Sequence, residues 1–478
     1  MLGHPGVRLP SRSRFNINLI PFMHIAIIGN GISGLTAARF IRKQSNHDIT
    51  LISGERTYPF SRTALMYIYM GHLRAKDTEL YEPHFYEENR IRLLQAWVDT
   101  IDFEQQILYF DAKDDQEPLT YDKLIIATGS QPNRFGWPGE NLKGVRGMYS
   151  MQDLQSIEDC SQGLKHAVIV GGGLIGVEMA EMFHSRQIPV TFLVREPSYW
   201  DMVLPEEESQ MVNEEIISHG IDLQLGTELK EILPDEQGRC RAVRTSEGEE
   251  ISCGFVGLTA GVHPNVNFLR DSPLEIDKGI LVNEYLQTNI PHVYAIGDCA
   301  QLSDPPVGRR PIEAVWYVGK MMGETVAYSV CGDLTRYEPQ LWFNSAKFFD
   351  IEYQVYGHVP VTYDGPLTSF FYGQEKRSLR IVYDKRTTKV VGFHAMGVRL
   401  RHEMCESWIL HQTPIEKVMT QLNAAYFDPE FYTSFQRDCV NHFNNIQGIN
   451  IQLSKKRGLS SFLSAIKSLG SSRTSKTK

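Results

Sequence analysis

The sequence predicts an α/β fold built on two units of the same design, and three observations carry that expectation. A short apolar run ends in glycine and opens a helix over residues 24–40, and the same pattern returns over residues 167–183. The chain is also 478 residues long, more than one hydrophobic core organises, so two or three domains are expected.

Taking the elements in order, residues 1–22 carry Arg8, Arg12 and Arg14 and no acid. They lack the long apolar stretch of a secretory signal. A targeting segment, a disordered extension and a start assigned ahead of the true Met23 stay open as readings. His24-Ile25-Ala26-Ile27-Ile28 then reads as a buried strand, because it is short, apolar and β-branched. Gly29-Asn30-Gly31-Ile32-Ser33-Gly34 follows and leads into the helix from Leu35. The first glycine of such a turn permits the bend, the second lets a pyrophosphate approach the backbone, and the third lets helix and strand pack closely. The helix N-terminus then faces the phosphates. After a second strand, Ile49–Ile52, Glu55 stands 21 residues beyond Gly34, where an acid binds the adenosine ribose hydroxyls; the alternative is a solvated loop glutamate.

The second unit repeats the first. Ala167–Val170 leads into Gly171-Gly172-Gly173-Leu174-Ile175-Gly176-Val177-Glu178, a helix and a further strand at Val190–Val194. One such unit holds one dinucleotide, so two Rossmann-like dinucleotide-binding domains imply two dinucleotides and redox transfer between them. The second strand ends in Val194-Arg195-Glu196. An acid there selects a free ribose and an arginine accommodates a 2′-phosphate, so Arg195 favours NADPH, Glu196 favours NADH, and Asp201 adds no second cation. The preference stays open at this stage.

Composition is that of an ordinary globular protein, with 48 basic against 57 acidic residues and 42% hydrophobic content, and nothing in it suggests nucleic acid. Seven cysteines are scattered without CxxC pairs or metal-like spacing, which fits free thiols in a reducing, cytoplasmic compartment and assigns no metal site. No apolar run reaches the roughly 18 to 20 residues that cross a bilayer.

Over roughly residues 23–445 the chain resembles the FAD-dependent pyridine nucleotide oxidoreductases, which include the disulfide reductases, rubredoxin and ferredoxin reductases and apoptosis-inducing factor. Besides the two glycine turns, Tyr121–Gly129 resembles the family's flavin-contact strand and its turn at Thr128-Gly129. Val293–Asp298 resembles the late motif Gly297-Asp298, whose aspartate holds the ribityl chain. Gly261-Val262-His263-Pro264-Asn265 is similar to the crossover back toward the flavin. The resemblance implies an extension at 1–22, an FAD domain at 23–147 and 279–333, and an inserted NAD(P)H domain at 148–278. It further implies an α+β interface or dimerisation-like domain at 334–448, leaving a tail at 449–478.

What is missing narrows the chemistry. Disulfide reductases carry two cysteines after the first nucleotide unit, whereas this chain reads Tyr58-Pro59-Phe60-Ser61-Arg62-Thr63-Ala64-Leu65-Met66-Tyr67. Their late His-Glu pair is also absent from Asn423–Glu430. The Tyr-Pro-x-x-Arg stretch instead resembles the rubredoxin-reductase and nitrite-reductase-like branch, in which Arg62 would stabilise negative charge on the reduced flavin; the alternative is a plain surface salt bridge. Trp316 stands where relatives place an aromatic against the flavin, with its spacing from Glu313 changed by one, or else it is core. Glu178 matches the glutamate that touches the nicotinamide carboxamide or a flavin-facing lysine, the alternative being a helix cap. The implied reaction is hydride transfer from NADH or NADPH to flavin N5, then electron transfer to an acceptor outside the chain.

Beyond Leu453 the tail carries seven basic residues and no acid, with Leu459, Phe462, Leu463, Ile466 and Leu469 at helical spacing. It reads either as a short interfacial helix or as a disordered end. Three functions follow: a soluble reductase serving an iron–sulfur or rubredoxin-like partner, a membrane-surface quinone reductase, and a redox-sensing interaction flavoprotein of low turnover. A homodimer is compatible with each.

Overall fold

The computed structural model describes residues 22–363, 365–427 and 435–453. The N-terminal extension through residue 21, the basic tail from residue 454 and positions 428–430 of the late stretch compared above lie outside the described residues. The chain divides into two compact units, the first taking residues up to Glu196 together with Ile221–Gln340, the second taking Pro197–Gly220 and the chain from Leu341 on.

The first unit contains both glycine turns. In chain order its main elements are β1 (His24–Ile28), α1 (Ile32–Gln44), β2 (Asp48–Ile52), β3 (Ile91–Leu94), β4 (Lys123–Ile126), β5 (Ala167–Val170), α2 (Leu174–Ser185), β6 (Val190–Val194), β7 (Asp222–Leu225), β8 (Phe255–Leu258), β9 (Val293–Ala295) and α3 (Trp316–Val330). One parallel sheet has the order β9-β4-β1-β2-β3, so strands that begin as far apart in the chain as His24 and Val293 share it. The other has the order β7-β6-β5-β8 and is closed by Val145–Arg146, again all parallel. Continuous apolar runs suit these strands because helices cover both faces of such sheets. Ile25, Ile27, Val168 and Ile169 are fully buried accordingly.

Two glycines show why the turn needs its spacing. Gly29 has φ +109°, and a Cβ on it would lie 2.1 Å from the Ala127 carbonyl oxygen. Gly34 sits where a Cβ would lie 2.0 Å from the Gly29 carbonyl oxygen, so helix and turn close on each other. The α1 face beside the turn packs on α3, where Ser33 Oγ is wedged against Gly297 and Gly319.

In the second unit five antiparallel strands, β10 (Phe343–Phe348), β11 (Ile351–Gly357), β12 (Leu367–Gln374), β13 (Arg377–Asp384) and β14 (Val390–Met396), pair in the order β10-β11-β14-β13-β12. A core of Phe370, Ile381, Phe393, Trp408, Val418 and Phe443 joins this sheet to the helices His402–Leu410, Ile415–Gln421 and Gln436–Gln447. Residues 197–220, within the range the resemblance implied for the NAD(P)H domain, group here. Their helix, Glu206–Ser218, is held by a buried charge pair: Arg380 on β13 grips both Glu208 carboxylate oxygens at 2.8 Å and donates to Glu207 at 2.6 Å and to Ser369 at 2.8 Å. Burial pushes the Glu208 carboxyl up, against the pull of Arg380. The adjoining His394 is neutral, because burial drives it down to about 3.

Among the described residues no helix is long and apolar enough to cross a membrane. Replacing Arg380 alone strands a buried carboxylate, at a cost of about 3–5 kcal/mol. Urea unfolding of Arg380→Ala should show that loss, and Arg380→Met combined with Glu208→Leu should recover most of it; a wild-type midpoint in the single variant refutes the account.

Candidate functional site

The two glycine turns stand at the carboxyl ends of β1 and β5, where open parallel sheets bind ligands. In the first unit a cavity of about 780 Å³ opens over the first of them. That volume suits a cofactor-sized ligand. Its floor is the turn itself, with Gly29, Gly31 and Ser33 lining it at the N-terminus of α1. A Cβ on Gly31 would meet nothing within 4 Å, so the backbone there faces open space that an anionic pyrophosphate can approach. Gly34 is excluded from the lining because it is packed under the turn.

Glu55 lines the cavity just beyond β2 and is no solvated loop residue. Arg62 holds it through both carboxylate oxygens, at 2.6 Å and 3.2 Å, and the Met151 N–H donates to it at 2.8 Å. Arg62 therefore joins the two readings open in the sequence: it is ion-paired, and it is also a cavity wall. Its guanidinium lies 4.5 Å from the Tyr149 ring and 5.2 Å from the Phe60 ring, and it donates to the Tyr149 carbonyl. Among the described lining residues Arg62 is the only cation, against Glu55, Asp153, Glu178 and Asp298.

The opposite wall is the turn after β4. Thr128 Oγ1 donates to the Asn265 carbonyl at 2.8 Å, and Asn265 N–H returns a bond to the Gly129 carbonyl at 2.9 Å, tying this turn to the crossover. Gly261, which begins the crossover, lies off the cavity, while Val262 lines it. Gly297 likewise packs on Ser33 and lets Asp298 reach the cavity. Ser130 Oγ donates to Asp298 at 2.9 Å; burial pushes the Asp298 carboxyl up while Ser130 and Arg62 pull it back. Trp316, at the start of α3, is a half-buried lining residue with Tyr317 5.3 Å away edge-on.

The second nucleotide unit reaches the same space through the first turns of α2. Leu174, Ile175 and Glu178 line the cavity, whereas Gly171, Gly173 and Gly176 stay outside the lining. Burial, and then the neighbouring Glu181 carboxylate, push the Glu178 carboxyl up to about 7. At the end of β6, Arg195 and Glu196 are paired with each other at 2.9 Å and are also outside the cavity.

Sequence reasoning passed over Tyr149, Ser130 and Trp97. Tyr149 is placed by a capping box, Ser150 with Asp153, at the start of the helix Met151–Ser161, and Asp153 also accepts from Tyr149 N–H at 3.1 Å. The Ser-x-x-Asp spacing was a readable local signal. The Tyr149 hydroxyl then accepts from Ser130 N–H at 2.8 Å, across 19 residues, which no local pattern encodes.

Because the folded chain protonates Glu178 more readily than the unfolded chain does, this carboxyl weakens folding as pH rises from about 4.5 to about 7, and the penalty is fully present above that. Glu178→Gln should therefore raise Tm at pH 8 and leave it unchanged at pH 4. Calorimetry showing the same Tm difference at both values counts against a perturbed Glu178.

Residues 23–323 match the family model for pyridine nucleotide-disulphide oxidoreductases. The chain is 31% identical over 280 residues to an NAD(P)H nitrite reductase of Bacillus subtilis (strain 168), covering 58% of this chain and 34% of that protein. It is 27% identical over 316 residues to a rubredoxin-NAD(+) reductase of Pseudomonas putida, covering 66% and 81%. The chain thus spans only about a third of the nitrite reductase. A ferredoxin reductase structure from Rhodopseudomonas palustris shares the fold, with a TM-score of 0.72 at 22% identity over 87% of this chain and 98% of that one. With the family model covering well over half of its length, this chain belongs to the pyridine nucleotide-disulphide oxidoreductase family.

Proposed function

We propose that the chain is an FAD-dependent NAD(P)H oxidoreductase that delivers electrons to an external iron–sulfur or rubredoxin-like protein without a redox-active disulfide. The observation that carries this reading is one cavity lined at once by the first glycine turn, Glu55 and Asp298 and by Leu174, Ile175 and Glu178 of α2, the helix after the second glycine turn. When bound, FAD supplies an acceptor for the nicotinamide hydride and a relay for electrons leaving the protein.

The chain's own contribution is placement. Gly29, Gly31, Ser33 and the α1 N-terminus would hold the pyrophosphate, Glu55 the adenosine ribose, and Asp298 with the Thr128-Gly129 turn the ribityl region. Arg62 would hold Glu55 in place and set positive charge against the acids of the wall. Glu178 and Ile175 would meet the nicotinamide side, and Trp316 would shield the ring from water. No cysteine lies among the described lining residues, which supports direct transfer to an outside acceptor. The rubredoxin-NAD(+) reductase among its relatives supports the rubredoxin-like acceptor class. Arg195 is already engaged by Glu196, so it is poorly placed to receive a 2′-phosphate, and NADH is the proposed donor. A cytoplasmic location and a homodimer built through residues 334–448 accompany this reading.

Anaerobic stopped-flow mixing of the FAD-loaded protein with each nucleotide should bleach the flavin band, faster with NADH, and Arg62→Ala should slow bleaching. A ferredoxin or rubredoxin should then be reduced in turn. Absence of bound FAD, or no bleaching with either nucleotide, refutes the proposal; lipid-dependent activity with quinone alone moves the acceptor to the membrane.

A further inference from the structure

The cavity has an aromatic wall at Trp97 that none of the motifs accounts for. Trp97 lines it beside Ala96 and Val98, although its side chain is 55% exposed, an unusual state for an indole on a folded surface. Its backbone is fixed on both sides: the Trp97 N–H donates to Asp114 at 2.6 Å and its carbonyl accepts from Asp111 N–H at 2.9 Å. The ring lies directly across Gly54. A Cβ on Gly54 would fall 2.1 Å from indole Cδ2 and 2.5 Å from Cγ, so only glycine lets the indole occupy this place.

The topology says which part of a dinucleotide this wall meets. The pyrophosphate turn follows β1, Glu55 follows β2, and β3 is the next strand outward in the sheet. Ser53 N–H donates to the Leu94 carbonyl at 3.0 Å and Ala96 N–H to the Ser53 carbonyl at 3.1 Å, which brings the chain after β3 alongside Gly54 and Glu55. Moving outward from the phosphates, the ribose acid comes first and Trp97 next. The group attached to that ribose is the nucleobase.

We propose that Trp97 is a stacking platform for the adenine of FAD, and that Gly54 is kept free of a side chain so that the indole can lie flat over the backbone and turn its other face to the base. This rests on the FAD reading above. Aromatic rings stack on any base, and losing one such platform weakens binding roughly 5- to 150-fold. Trp97 acts on affinity for the adenosine end and stands apart from Glu178 and Trp316 at the reacting end, so it is a positioning residue.

The test measures dissociation constants of FAD and of FMN, which lacks the adenosine, by flavin fluorescence for the wild-type chain and for Trp97→Ala, Trp97→Phe and Gly54→Ala. Trp97→Ala and Gly54→Ala should lose affinity for FAD by the factor above and leave FMN binding unchanged, and Trp97→Phe should stay near wild type. Quenching of indole emission by FAD, greater than by FMN, should disappear with Trp97. Equal losses for FAD and FMN, or FAD binding by Trp97→Ala within roughly twofold of wild type, overturns the assignment. If Trp97→Ala fails to fold, Gly54→Ala and Trp97→Phe decide the matter alone. A wild-type chain that binds no FAD defeats the oxidoreductase reading itself, an outcome distinct from FAD binding that ignores Trp97.

Discussion

The Glu55–Arg62 ion pair is the interaction on which the cavity depends. Glu55 is almost buried, and without the guanidinium 2.6 Å away it would be an uncompensated charge beside a low-dielectric wall. Arg62 is fixed in turn by Phe60, by the Tyr149 ring and by the Tyr149 carbonyl. From Tyr149 the bonds continue through Ser130 to Asp298. One connected network therefore spans the cavity from the end of β2 to the turn after β9, binding segments that the sequence separates by more than 200 residues. A site assembled from distant segments needs such cross-ties, since positional looseness in a reacting site is costly to rate.

Charge is distributed along this cavity in a useful order. The lone cation of the described lining is held against Glu55, just beyond the end of β2. At the far side Glu178 has no cation facing it from the lining, and its elevated carboxyl is readily neutral. On the proposed reading, a neutral acid there would be able to donate a hydrogen bond to an amide without adding a full negative charge to the wall. Replacing it by glutamine keeps the shape and the hydrogen-bonding capacity, which is why that variant separates a titration effect from a packing effect.

Both glycine turns were legible because their determinants are local: an apolar strand, glycines at fixed spacing, and a helix. Asp298 and Thr128 became legible only through the order of the motifs. Glu55 was singled out by its spacing and does line the cavity, but its partner was unreadable, since nothing in Tyr58–Tyr67 names the residue that Arg62 will meet. Trp97 was missed for a related reason. Its role is written in Gly54, and a glycine next to a strand end has many explanations until the ring lying over it is seen.

The break between residues 196 and 221 follows from the same physics. As the second strand of its unit, β6 ends at Val194, and β7 begins only at Asp222; between them the chain forms the helix Glu206–Ser218, whose Glu208 is buried against Arg380. A helix with three acids in its first turn gains from the macrodipole wherever it lies, so local propensity did not decide its allegiance. The decisive partner is an arginine 172 residues later that satisfies two of those acids at once. The chain after Glu196 thus passes directly into a segment anchored by Arg380, which is why that stretch groups with the later residues and not with the strands on either side of it in sequence.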